Sequence, residues 1–214
     1  MADSRPVDRM PAAILPAGLC NRLSSTDVAE CNAAWAVVIR DIETGKLLVD
    51  AKCEHSGSLL HFAASGPSAT VMERLLQLGA QCSKDRRGYG IGHYVDGETA
   101  VDCIQKLKLL PPEELCAKDN IGMTPLHVLA RDIKTRTMWG GGPGRDKLVE
   151  VLAWLLQQPQ VWPCLESVDI FGHTILHYCD QPSAAMVAHA LERLTRRWSP
   201  ARAAWTAAVV AAAF

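Results

Sequence analysis

Histidine is the residue type in this 214-residue chain with the widest chemical reach. His173 and His177 lie four apart, a spacing that lets two imidazoles share a helical face and hold one zinc ion. His173, however, precedes Thr174, a helix-capping residue type, which places it in a turn. No carboxylate or thiolate is spaced to complete a ligand set. Cys179 lies two residues from His177, and on a helix that offset turns it to another face, so the two make no thiolate–imidazole pair. Two glycine-rich runs invite a phosphate. GYGIGH at 88–93 has the spacing GxGxG rather than GxGxxG, and WGGGPGRDK at 139–147 lacks the GK[ST] of a phosphate loop. Both are expected to be turns. The residues therefore point to no catalytic group, no metal and no cofactor.

What positions the histidines is a repeat. The stretch DNIGMTPLH at 119–127 returns as DIFGHTILH at 169–177, sharing Asp, Gly, Thr, Leu and His. DRRGYGIGH at 85–93 keeps Asp85, Gly88 and His93, with Gly90 and Gly92 in place of Thr and Leu. CEHSGSLLH at 53–61 keeps Ser58 for Thr, then Leu60 and His61. The histidines at 61, 93, 127 and 177 are thus 32, 34 and 50 residues apart. Leu75, Leu107 and Leu191 each follow their histidine by 14 residues, whereas Leu155 and Leu156 follow His127 by 28 and 29. The excess falls largely at 131–147, RDIKTRTMWGGGPGRDK, which its Gly and Pro content assigns to a loop.

Each residue type has a local task. Asp and Gly suit a tight turn, Gly because it accepts positive φ. Thr caps the helix that follows, and Pro at the next position has no donor to waste. The small residues Ala63, Ala64 and Ala130 let neighbouring helices pack closely. A period near 33 residues means stacked units that bury a continuous core between them.

This unit resembles the ankyrin repeat, with its TPLHxA signature, and LLQLGA at 75–80 is similar to that family's second-helix ending. The resemblance implies an all-α solenoid of four units, near 53–84, 85–118, 119–168 and 169–198. Each would be a turn or short hairpin followed by two antiparallel helices, and each histidine would bond across neighbouring turns. Irregular caps would flank the stack: an N-terminal extension with a helix at 1–52 and an Ala-rich helix at 199–214. The function implied is non-catalytic protein–protein interaction, as a scaffold, a free adaptor or a subunit of a large assembly. Contacts would come from turn tips and first-helix faces. Mapped onto this sequence those positions are Glu54, His55, Arg86, Arg87, Tyr89, Asn120, Ile121, Met123, Ile170, Phe171 and His173, with Arg131 and Asp132 beyond them. Ile121, Met123, Ile170 and Phe171 suggest an apolar partner patch. Arg86, Arg87 and Tyr89 make the second tip basic and aromatic, suited to an acidic segment. Trp139 beside three glycines is a further contact candidate, while Lys134, Arg136 and Arg145 read as a solvated face.

Outside the repeats, Ser and Asp cap candidates at 24–27 precede Val28, Cys31, Trp35 and Val38, spaced for one helical face. Leu15–Pro16, LSSTDV at 23–28 and Trp35 also loosely resemble the F-box, which would make the chain a substrate receptor in ubiquitin ligation. The Ala-rich end, as a helix of 14 residues, would reach only about 21 Å, too short for a bilayer, and is expected to be a cap or a partner-covered interface. With 49% apolar residues, 21% charged and a net charge of −1, a packed core is expected and nucleic acid is not an expected partner. The eight cysteines include no CxxC and are expected to be reduced core residues of a cytoplasmic protein. The N-terminus lacks the charge order of a signal peptide, and no run is long enough to span a membrane.

Overall fold

Capping-type residues stand at six of the described helix starts in this chain: Asp27, Ser58, Ser68, Thr99, Thr124 and Thr174. A computed structural model describes residues 12–195, apart from 26, 55, 56, 67, 97 and 98. Strand β1 (Ala12–Ile14) lies parallel to β2 (Leu47–Lys52), with Ala12 opposite Leu47 and Ile14 opposite Lys52. Between them run α1 (Ala17–Leu23) and α2 (Val28–Glu43). Then come α3 (Leu59–Ser65), α4 (Ala69–Gln77), a 3₁₀ turn at Ile91–Tyr94, α5 (Ala100–Leu109) and α6 (Pro112–Leu115). The rest is α7 (Pro125–Met138), α8 (Pro143–Leu155), α9 (Trp162–Leu165), α10 (Ile175–Tyr178) and α11 (Gln181–Thr195). The fold is mostly helical, and no described helix is long and apolar enough to cross a membrane.

Two rows of helices face each other. In one, α3, the 3₁₀ turn, α7 and α10 pack in sequence; in the other, α4, α5 and α8 do. Leu60, Ala63, Ala64, Leu126, Ala130 and Ile133 from the first row meet Met72, Leu75, Leu107, Leu152 and Leu155 from the second, all buried. Leu191 of α11 is buried at the far end. Asp27 opens α2 by accepting the N–H groups of Ala29 and Glu30, and Cys31, Trp35 and Val38 are buried as their spacing predicts. Val28 is not: it is 45% exposed in the first turn.

Four expectations are corrected. Residues 131–147 are not a loop, because α7 continues to Met138 and α8 begins at Pro143. Ile133 anchors that extension in the core, and the Thr135 hydroxyl donates to the Arg131 carbonyl one turn back. Only 139–142 breaks the helix, with Gly140, Gly141 and Gly142 all at positive φ. The N-terminal extension holds the β1–β2 ribbon besides its helices. Cys116 and Cys164 are joined as a disulfide, with Cα atoms 5.4 Å apart, while the other six cysteines are free. Finally, Arg145 is no solvated cation, because its guanidinium bonds Asp180 at 2.9 Å. The Ala-rich segment at 199–214 and His55 lie outside the described residues.

Candidate binding surface

The second, third and fourth turns of the surface share one geometry. Asp85 Oδ1 accepts the N–H groups of Arg87 and Tyr89 at 2.8 and 2.9 Å. Asp119 does the same for Ile121 and Met123, and Asp169 for Phe171 and His173, all at 2.8–2.9 Å. Each turn closes through a glycine at positive φ, at positions 88, 122 and 172. At Gly122 a Cβ would also stand 3.0 Å from the Asp169 Cα of the next turn, so glycine is required twice over.

The histidines lock the turns to the helices and then to one another. Thr124 N–H donates to His127 Nδ1 at 3.2 Å, with Thr124 Oγ1 2.8 Å from the same nitrogen. Ser58–His61, Gly90–His93 and Thr174–His177 repeat the backbone bond at 3.0–3.2 Å. Because Nδ1 accepts, the proton sits on Nε2. His61 Nε2 then donates to the Tyr89 carbonyl at 3.2 Å, and His93 Nε2 to the Met123 carbonyl at 3.0 Å. For His127 the facing carbonyls are those of His173 and Ser167, and neither reaches hydrogen-bond geometry. Burial holds all three rings below their ordinary pKa, so they stay neutral near pH 7. Main-chain bonds join the tips directly: Asn120 N–H to the Arg87 carbonyl at 3.0 Å and Ile170 N–H to the Ile121 carbonyl at 2.9 Å.

Two further links lie outside the motif, although the repeat carries a signal for both. Tyr94 and Tyr178 each follow a histidine, and their hydroxyls donate to Asp85 and Asp169 at 2.6 and 2.5 Å. Lys84 and Lys118 each precede a turn aspartate, and each donates to the carbonyl at that place in the next turn, Lys118 and Val168. Lys106 carries no such signal. It is wholly buried in α5 and donates to the carbonyls of Ala64, Gly66 and Asp96, closing the end of α3. Burial lowers its pKa.

With the turns tied in this way, the expected contact residues divide. Ile121, Ile170 and Phe171 are exposed, the last two at 65%, and Trp139 at 86% stands beside Met138 at 79%. Arg86 and Arg87 are exposed on the second turn, and Glu54 on the first. His173 is exposed, its ring stacked 4.9 Å from His177. Met123 is not a tip residue: its N–H is tied to Asp119 and its carbonyl to His93, which turns the side chain inward to 2% exposure. Tyr89 does not join the arginines, since its half-buried ring stacks on His93 at 5.0 Å. Asn120 is exposed, but its side chain donates to the Arg86 carbonyl at 2.9 Å and is a turn-to-turn tie. Arg131 and Asp132 pair with each other at 3.3 Å. Among the described residues no group of three or more His, Cys, Asp or Glu side chains is placed to hold a metal ion. No protein-family model and no curated protein matches this chain.

Proposed function

We propose that this chain is an ankyrin-type stack of four units acting as a non-catalytic protein-interaction module, a scaffold or accessory subunit of a protein complex. The observation that carries the proposal is the pairing of locked turns with bare apolar tips. The main chain of these turns is tied from unit to unit, yet Ile121, Ile170 and Phe171 point away from any core. Exposed apolar side chains on rigid supports lose little conformational entropy on docking, which favours use as partner contacts. Trp139 and Met138, at the end of the α7–α8 hairpin, add a second such point. The F-box alternative draws no support from its anchors, because Leu15 and Trp35 are 2% and 3% exposed inside this chain.

Affinity capture from the protein's own cells, with crosslinking, tests the proposal. Stoichiometric partners should crosslink through residues 120–122, 138–142 and 170–173, and Phe171→Ser with Trp139→Ala should release them. A chain that runs alone near its own 23.2 kDa would overturn it.

A further inference from the structure

A cleft of about 460 Å³ opens between the N-terminal helices and the second turn. Phe62 and His61 of α3 and Tyr94 line it, with Arg86 and Arg87 on one side and Ser24 and Cys53 on the other. A second hollow of about 230 Å³ shares Ser24, Cys53 and Phe62 with it, so the two form one trough that runs on past Glu54.

The charges along this trough are unequal in availability. Asp85 is occupied, one oxygen accepting the N–H groups of Arg87 and Tyr89 and the other the Tyr94 hydroxyl. Arg22, Arg40, Arg74, Arg131 and Arg145 each face a carboxylate within 4.0 Å. Arg86 and Arg87 have no such partner among the described residues, although both are exposed beside a cavity. Their backbone carbonyls, not their side chains, tie the second turn to the third. Two guanidinium groups without a carboxylate within 4.0 Å among the described residues thus stand at one end, the Arg87 charge acting on the Tyr94 hydroxyl; the Phe62 ring lies in the middle and the carboxylate of Glu54 at the other end.

We propose that this trough seats an acidic peptide segment of a protein partner, with its carboxylates on Arg86 and Arg87 and an apolar side chain against Phe62. Guanidinium groups bind carboxylates bidentately, and a nearby apolar wall excludes water from the pair. Glu54 sets the direction, since it repels a carboxylate at the opposite end. The site rests on the interaction-module proposal and names one seat and one ligand chemistry for it.

Panning a random dodecapeptide phage library on the full chain, followed by fluorescence anisotropy with the selected peptides, tests it. Selected peptides should carry two or more Asp or Glu beside one apolar residue and should weaken as salt rises. Arg86→Glu with Arg87→Glu should cost about ten-fold or more in affinity and shift selection toward basic peptides, and Phe62→Ala should weaken binding without changing charge preference. Because the turn ties use main-chain atoms, the charge-reversed variant should keep its thermal melt. Peptides without acidic bias, peptides indifferent to the charge reversal, or tighter binding of a single-stranded oligonucleotide to the same arginines would each overturn the site. Peptides that bind elsewhere would sink this site and leave the interaction module standing, whereas a chain that captures neither peptide nor cellular partner at any surface would sink both.

Discussion

Three of the turn histidines, His61, His93 and His127, are buried and bonded as neutral rings, and that makes the fold sensitive to acid. His61, His93 and His127 are 3%, 9% and 0% exposed, and burial depresses the pKa of each. The sign follows from the direction of the shift. A group whose folded pKa lies below its unfolded value lends stability above the unfolded value, near 6.5 for histidine, and withdraws it as pH falls below that. Each ring contributes at most about 1.4 kcal/mol per pH unit in that window, so about 4 kcal/mol per pH unit is the ceiling for the three together. Urea unfolding at several pH values from 7.5 down to 5 should show a loss within that ceiling, and a flat profile would contradict the bonding described here. The tyrosine that follows two of the histidines acts at the same joint. Burial and the Asp169 carboxylate push the Tyr178 hydroxyl up to about 12, so it remains a donor at any working pH. Tyr178→Phe and Tyr94→Phe should each cost about 1.5–3 kcal/mol by chemical denaturation, as expected for a hydrogen bond to a charged acceptor.

The α7–α8 hairpin shows how far an element can be inferred from sequence. Thr124 and Pro125 are legible as a helix start because cap chemistry is local, and α7 begins there, although the ring of His127 rather than the Thr124 hydroxyl closes the cap by accepting the Thr124 N–H. The hairpin's length is not legible, because the Gly and Pro residues at 140–144 dominate a window that also contains Ile133, Thr135 and Thr137. The buried contact of Ile133 is a tertiary effect, invisible in composition. The same extension sets up a joint that spacing does not reveal. Thr137 Oγ1 and Arg145 Nη2 both donate to Asp180 Oδ2, at 2.6 and 2.9 Å, while Asp180 Oδ1 accepts Ser183 N–H at 3.0 Å to start α11. Burial alone would raise the Asp180 pKa, but these bonds outweigh it and hold the carboxyl well below its ordinary value. Asp180→Ala removes the shorter of Arg145's two carboxylate contacts, leaving Asp146 at 3.6 Å, and should cost about 1.5–3 kcal/mol in denaturant unfolding, as expected for hydrogen bonds to a charged group. At the hairpin's tip the balance reverses. Trp139→Ala removes no buried contact, so stability should hold within about 0.5 kcal/mol while capture of the cellular partner falls.

Across the whole molecule, stability should depend on how firmly successive turns and helices are coupled, since the helices of each row pack one against the next. The turns are coupled by His61, His93, Lys84 and Lys118; the histidine part of that coupling is what the resemblance to the ankyrin repeat implies, whereas the lysine part is not. The disulfide is a different kind of coupling and is not legible, because 48 residues separate Cys116 from Cys164 and no motif marks them as a pair. It begins just after α6 and ends in α9, so it encloses the third turn and the entire α7–α8 hairpin. Closing a loop of that length removes unfolded-state entropy worth about 4 kcal/mol. The cost of losing it should therefore appear in the unfolded chain rather than in any helix contact. Cys116→Ser with Cys164→Ser should lower the stability of the intact chain by about that amount, leave the helical circular dichroism unchanged, and abolish any further effect of a reductant. If reductant lowers the stability of the wild-type chain and spares the double variant, the bridge is the coupling element around the hairpin that carries Trp139. If it changes neither, the third unit is held by its turn and core contacts alone.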